Sequence, residues 1–251
     1  MACKIKKILG ALFFAAVFLV GSRLPAATDG QAAPDAAAPC TPAPVPAAPA
    51  APTPAAEAAE APVIVDKSVV YSEEREALAR AYAALHYGMD IAEITPQAVV
   101  VHWTASSTWE SAYAHFYEAA ASDGTLNYAS QFLVDRDGTI FRLLPETAMG
   151  RHIIGYNWCT IGIENVGGVG GEEDLTAEQL AANAALIRYL REKYPTIRYV
   201  FGHYQQDAAR ASGLYIEHVE GYRSLKSDPG PAFMRGLREV LEPEGLIFYP
   251  E

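Results

Sequence analysis

Apolar positions past residue 63 switch repeatedly between helical spacing and continuous runs, which divides the chain into intermixed helices and strands. Ser72 precedes Glu73, Glu74 and Glu76 and predicts a capped helix start with carboxylates in the first turn. Leu78, Ala81, Tyr82 and Leu85 then fall on one face, and Gly88 ends the run. Residues 98–103 form a continuous run built on three β-branched valines, Val99 to Val101, as in a central strand buried on both faces. Ser107 and Glu110 have capping-box spacing and predict a second helix to about Ala121. A hairpin follows, with arms at 128–134 and 139–144 around Asp135-Arg136-Asp137-Gly138. Residues 159–166 read as another strand, entering a glycine loop at 167–171. Thr176 and Gln179 make a further capping box for a helix whose stripe is Leu180, Ala184, Ile187 and Leu190, stopped by Pro195. A strand at 197–202 and a closing helix at 231–241 complete the pattern. Without a strict strand–helix–strand repeat, the expected fold class is α/β, with a mixed central β-sheet flanked by helices.

The segment ahead of this domain is different in kind. Lys4, Lys6 and Lys7 precede an apolar run from Ile8 to Gly21, the pattern of a signal peptide, placed at residues 1–27. The run is short for a membrane span, which needs roughly 20 residues, so an uncleaved anchor is the alternative. Residues 28–62 are dominated by alanine and proline and read as a disordered, semi-rigid linker. Residues 63–251 are then left as one catalytic domain of a size that buries a real core. The expected location is the periplasm or cell envelope, by export. Of three cysteines, Cys3 leaves with the signal, and a bridge between Cys40 and Cys159 is not expected, so packing must supply stability. A formal net charge of −11 argues against nucleic acid as a partner. Nothing in the chain points to an obligate protein partner, and a monomer is expected.

Candidate chemistry lies at the ends of the apolar runs. His102 sits inside one strand, His203 closes another after Gly202, and Asp228 stands before Pro229 in a turn. A lone strand histidine is most often a satisfied core residue, and Asp-Pro is a common turn signal. Two histidines and an aspartate delivered from distant points nevertheless suit a tetrahedral zinc site with an open position. Glu164, at the end of Ile161-Gly162-Ile163-Glu164, is a candidate general base beside it. That combination points to a hydrolase.

Five segments in one order carry a resemblance that covers about Val99 to Leu241. They are Val100-Val101-His102-Trp103-Thr104-Ala105, the run from Phe132 to Ile140, Ile161-Gly162-Ile163-Glu164, Gly202-His203 and Lys226-Ser227-Asp228-Pro229-Gly230-Pro231. The domain resembles the zinc-dependent N-acetylmuramoyl-L-alanine amidases of the type 2 class, whose fold is shared with peptidoglycan recognition proteins and phage lysozyme-type amidases. The resemblance implies that His102, His203 and Asp228 hold one Zn²⁺, that Glu164 is the catalytic acid/base, and that Lys226 stands near the substrate carbonyl. It also implies a substrate, the amide between N-acetylmuramic acid and L-alanine in peptidoglycan or muropeptides. Relatives often carry a histidine in the loop before the Glu164 strand, along the substrate groove, and His152 fits that place as a candidate for substrate contact, with an ordinary surface histidine as the alternative. Two departures stand out. The segment between His203 and Asp228 is longer than in compact relatives, and Gln131 stands where many have a histidine. Alternatives are a recognition module that binds peptidoglycan without cutting, a secreted toxin-type amidase, and a peptidase acting within the stem peptide.

Overall fold

The structure is a computed structural model and describes residues 61–250. The expected signal peptide and nearly all of the Ala/Pro linker, including Cys40, lie outside the described residues. In chain order the elements are β1 (Ile64–Asp66), α1 (Glu73–Tyr87), β2 (Ala98–Trp103), α2 (Trp109–Phe116), β3 (Phe132–Val134) and β4 (Ile140–Arg142). They continue with β5 (Thr160–Asn165), α3 (Ala177–Lys193), β6 (Tyr199–Gly202), α4 (Pro231–Leu241) and β7 (Ile247–Phe248). Seven strands make one sheet in the order β1-β4-β3-β5-β2-β6-β7. Strands β3, β5, β2, β6 and β7 run parallel, β4 runs against β3, and β1 follows β4. The sheet is therefore mixed, with helices packed against it.

Strand β2 is central and nearly all buried, flanked by β5 and β6. Side chains alternate faces along it. Val99 and Val101 share a cluster with Ile161 and Ile163 of β5, Leu186, Ile187 and Leu190 of α3, and Met234 and Leu237 of α4. Ala98 and Val100 look the other way, into a cluster with Phe201, Tyr156, Ala209, Leu214 and Tyr249. This second face is covered largely by loops, and His102 projects from it by the same alternation.

Several predicted boundaries change. The N-cap of α2 is Thr108, which accepts from the Ser111 amide, rather than Ser107. That helix ends at Phe116, short of Ala121, because outside donors take its next carbonyls. Val70 donates to the Tyr117 carbonyl, and the Arg75 guanidinium donates to the carbonyls of Phe116 and Glu118. On α1 the buried face is Arg75, Ala79, Tyr82, Ala83, His86 and Tyr87, while Ala81 and Leu85 are exposed. The hairpin arms are shorter than predicted. The amides of Leu143 and Leu144 both reach the Gln131 carbonyl, which ends regular pairing there. The edge strands β1 and β7 carry no predictive pattern in the sequence. The closing helix, the α1 cap at Ser72 and the capping box at Thr176 stand as predicted.

Candidate metal centre and cleft

Three neighbouring strands bring the key side chains together through register. His102 and Glu164 are paired residues of parallel β2 and β5, so both project from the same face near the carboxyl ends of their strands. On the other side Val101 pairs with Gly202, which places His203 next to His102 as the chain leaves β6 into a short 3₁₀ turn. Ligands collect at such carboxyl ends in open α/β sheets. Asp228 comes from the loop before α4, held by a hydrogen bond from the Tyr204 amide to the Asp228 carbonyl at 3.0 Å. A Cβ on Gly202 would lie 2.7 Å from Pro229 Cδ, so this position needs glycine for the loop to come close.

His102 Nδ1 lies 3.0 Å from His203 Nδ1 and 3.0 Å from Asp228 Oδ2, and His203 Nδ1 lies 3.2 Å from the same oxygen. All three residues are buried. Burial opposes charge on Asp228, but the two imidazoles beside its carboxyl, His102 and His203, outweigh it and hold the group well below its usual range. Burial pushes the His102 imidazole down to about 4, against the opposing pull of Asp228, so the ring is neutral at pH 7. With Asp228 ionised, no placement of protons satisfies all three contacts. A histidine nitrogen either donates or accepts, and two Nδ1–H groups would collide. Three lone pairs turned toward one cation satisfy them at once. Donors about 2.0–2.1 Å from a tetrahedral zinc lie about 3.3 Å apart, close to the observed spacings. The donor set and its spacing therefore fit zinc.

Glu164 is half-buried, and its Oε2 is enclosed without a hydrogen-bond partner. Burial raises its pKa well above the usual carboxylate value, the nearby Asp228 charge adds to this, and Lys226 opposes it. A desolvated carboxyl group in a cleft, with a specific charge partner, is a functional-site candidate. Lys226 itself is exposed at the mouth.

The sequence places the chain in a family. Residues 92–231, more than half of the chain, match the family described as N-acetylmuramoyl-L-alanine amidase. The chain belongs to that family. Among curated relatives, the endolysin of Enterobacteria phage K11 is 33% identical over 76 residues, 29% of this chain and 50% of the relative. The endolysin of Klebsiella phage KP32 is 28% identical over 101 residues, 38% of this chain and 67% of the relative. The matched segment thus spans half to two thirds of these endolysins. Among solved structures, the N-acetylmuramoyl-L-alanine amidase LysC from Clostridium intestinale is 22% identical, with 74% of this chain and 99% of that one covered and a TM-score of 0.49. Bumblebee PGRP-SA is 19% identical, with 75% and 98% covered and a TM-score of 0.46. Family membership rests on the sequence match.

In this amidase-family chain, all six expected site residues line one cleft of about 680 Å³: His102, His152, Glu164, His203, Lys226 and Asp228. His152 sits behind His102, its Nδ1 3.0 Å from His102 Nε2. Gln131 has a structural part, accepting from the Gly162 amide at 2.7 Å and donating to the Ala148 carbonyl at 2.7 Å. Asn157 braces the loop before β5, its Oδ1 accepting from the amides of His152 and Ile153 at 2.9 Å each.

The long segment after His203 forms one wall of the cleft through Tyr222, Ser224 and Leu225. It is pinned twice. Glu217 meets His86 Nδ1 at 2.9 Å with both side chains buried, and Arg151 Nη2 donates to the Tyr222 hydroxyl at 3.3 Å. Arg151 also stacks 4.3 Å over the Tyr128 ring. Arg151, Tyr82, Tyr128 and His115, which carry no expected role, all line the cleft. They come from four distant stretches, and no local spacing in the sequence marks them.

Proposed function

We propose that this protein hydrolyses the amide between N-acetylmuramic acid and L-alanine in peptidoglycan or its muropeptide fragments, with His102, His203 and Asp228 holding one zinc ion. The observation that carries the reading is the buried cluster of three donors 3.0–3.2 Å apart, with Glu164 as register neighbour of His102. Zinc bound there would supply Lewis acidity and lower the pKa of a water ligand to about 7. The chain's own groups do the rest. Glu164 Oε2 takes the proton of the attacking water and delivers it to the leaving nitrogen of L-alanine as the C–N bond breaks and the new C–O bond forms. Its enclosed position keeps bulk water from competing for that proton. Lys226 places a fixed positive charge at the mouth, where the carbonyl oxygen gains negative charge. The proposal includes export, on the basis of the basic and apolar N-terminal run, and action on the cell wall.

The test is mass spectrometry of muropeptides incubated with the protein, with and without a chelator. The expected product is free stem peptide beginning at L-alanine, lost with the chelator and restored by zinc. Muropeptide recovered intact but bound would make the protein a recognition module, and cleavage inside the stem would make it a peptidase.

A further inference from the structure

We propose that His152 is a positioning residue: through Nδ1 it accepts a proton-bearing Nε2 of His102, and so fixes the tautomer in which His102 Nδ1 offers its lone pair to the metal centre. The inference rests on the zinc reading of His102, His203 and Asp228. It begins with the two ends of the His102 ring. Nδ1 points into the cluster with His203 and Asp228, while Nε2 points away, to His152 Nδ1 at 3.0 Å. A neutral imidazole has one N–H and one lone pair. If Nδ1 is to ligate, the proton belongs on Nε2, and a partner there must accept it.

His152 is held so as to accept. Its own Nε2 faces the Thr160 carbonyl and the Thr160 hydroxyl, each at 3.4 Å; the hydroxyl gives its hydrogen to the Tyr156 carbonyl at 3.0 Å, so both oxygens accept, which places the His152 proton on Nε2 and leaves its Nδ1 lone pair toward His102. The ring planes are perpendicular, at 87°, and the centroids lie 5.1 Å apart, a separation that a nitrogen-to-nitrogen approach at 3.0 Å gives, so the His102 N–H meets the in-plane lone pair of His152 Nδ1. A single polarity therefore runs from the His102 Nδ1 lone pair through two N–H donors to a backbone carbonyl. Its far end is fixed by the sheet, because Thr160 begins β5.

The sequence also makes room for this ring. A Cβ on Gly162 would lie 2.8 Å from His152 Cγ and Nδ1, so only glycine at this β5 position lets the imidazole lie flat against the strand and reach His102. Gly162 pairs with Val100, two residues before His102 and on the same face. The glycine of Ile161-Gly162-Ile163-Glu164 is thereby explained by His152, and the glutamate by the cleft. Outer partners of this kind set the basicity and orientation of a ligating histidine, and their loss typically weakens metal binding 10–100-fold.

The experiment compares zinc affinity, by competition with a chromogenic chelator, for the full chain and its His152→Asn and His152→Leu variants. Asparagine and leucine have similar shapes, but only asparagine keeps an acceptor where Nδ1 stood. The expected result is a 10–100-fold loss of affinity in His152→Leu and recovery of most of it in His152→Asn. Nitrogen-15 spectra of histidine-labelled, zinc-loaded wild type should show His102 protonated at Nε2, with a hydrogen-bonded proton that disappears in His152→Leu. Equal affinities in all three proteins, or a His102 proton on Nδ1 in the wild type, would overturn the proposal. The spectrum tests it even if His152→Leu does not fold. A wild-type chain that takes up no zinc would overturn the zinc reading along with it, whereas zinc uptake indifferent to residue 152 would leave that reading standing.

Discussion

The residues of the centre divide by the work each is placed to do. Glu164 touches neither Nδ1 of the cluster nor any hydrogen-bond donor at its buried oxygen, so its loss should spare the metal. Glu164→Ala is expected to retain stoichiometric zinc, measured by elemental analysis, while kcat on muropeptides falls by about 10²–10⁴-fold. His102→Ala and Asp228→Ala should lose both, since each supplies a donor atom to the cluster. That His102, His203, Asp228 and Glu164 would gather in one place was legible in the sequence, because each lies in or closes an apolar run or stands in a distinctive turn. The contact between His152 and His102 was not. It joins residues fifty positions apart and depends on space left by Gly162, a relation that no local pattern records.

Helices and strands were readable in proportion to how far local forces set them. The Thr176 box closes with both reciprocal hydrogen bonds, Thr176 Oγ1 accepting from the Gln179 amide at 3.1 Å and Gln179 Oε1 from the Thr176 amide at 2.9 Å. Thr176→Ala should cost about 1 kcal/mol, read from the urea midpoint at unchanged slope. Strand β2 announced itself because both of its faces are covered and its valines, Val99 to Val101, are β-branched. The misread elements are those decided from outside. Helix α2 stops where Arg75 and Val70 take its carbonyls, and α1 is rotated from its apolar stripe because buried Arg75 and His86 belong to the inward face. Strands β1 and β7 have three and two residues and exist through their partners alone.

For the whole molecule, stability should depend on acid and on metal. Burial raises the Glu146 pKa, but Lys193 at 2.8 Å and the hydroxyls of Tyr194 and Tyr189 outweigh it, so the carboxyl sits below its ordinary value. A depressed folded-state pKa contributes stability above the unfolded value of about 4.3, and that contribution is lost as pH falls through the folded value. Glu146→Gln should therefore lower stability at pH 7 by about 1.5 kcal/mol, the low end for charged hydrogen bonds. Urea midpoints of mutant and wild type should draw together as pH falls below the unfolded value of about 4.3. Zinc at about 100 times its Kd should add about 2.7 kcal/mol, and a chelator should remove it in a thermal melt. The sheet register has a consequence for how such a molecule tolerates change. Strands β5, β2 and β6 act as a fixed ruler, their last marks being Glu164, His102 and the residue just past Gly202. Exposed turns of the rim segment 204–225 can take added residues without moving those marks, whereas its buried Ala209 and Leu214 and its Glu217–His86 pair are held in place. Deleting one valine between Ala98 and His102 would instead turn His102 into the helix-packed core, so the chemistry withstands insertions of many residues around it and not the loss of one within it.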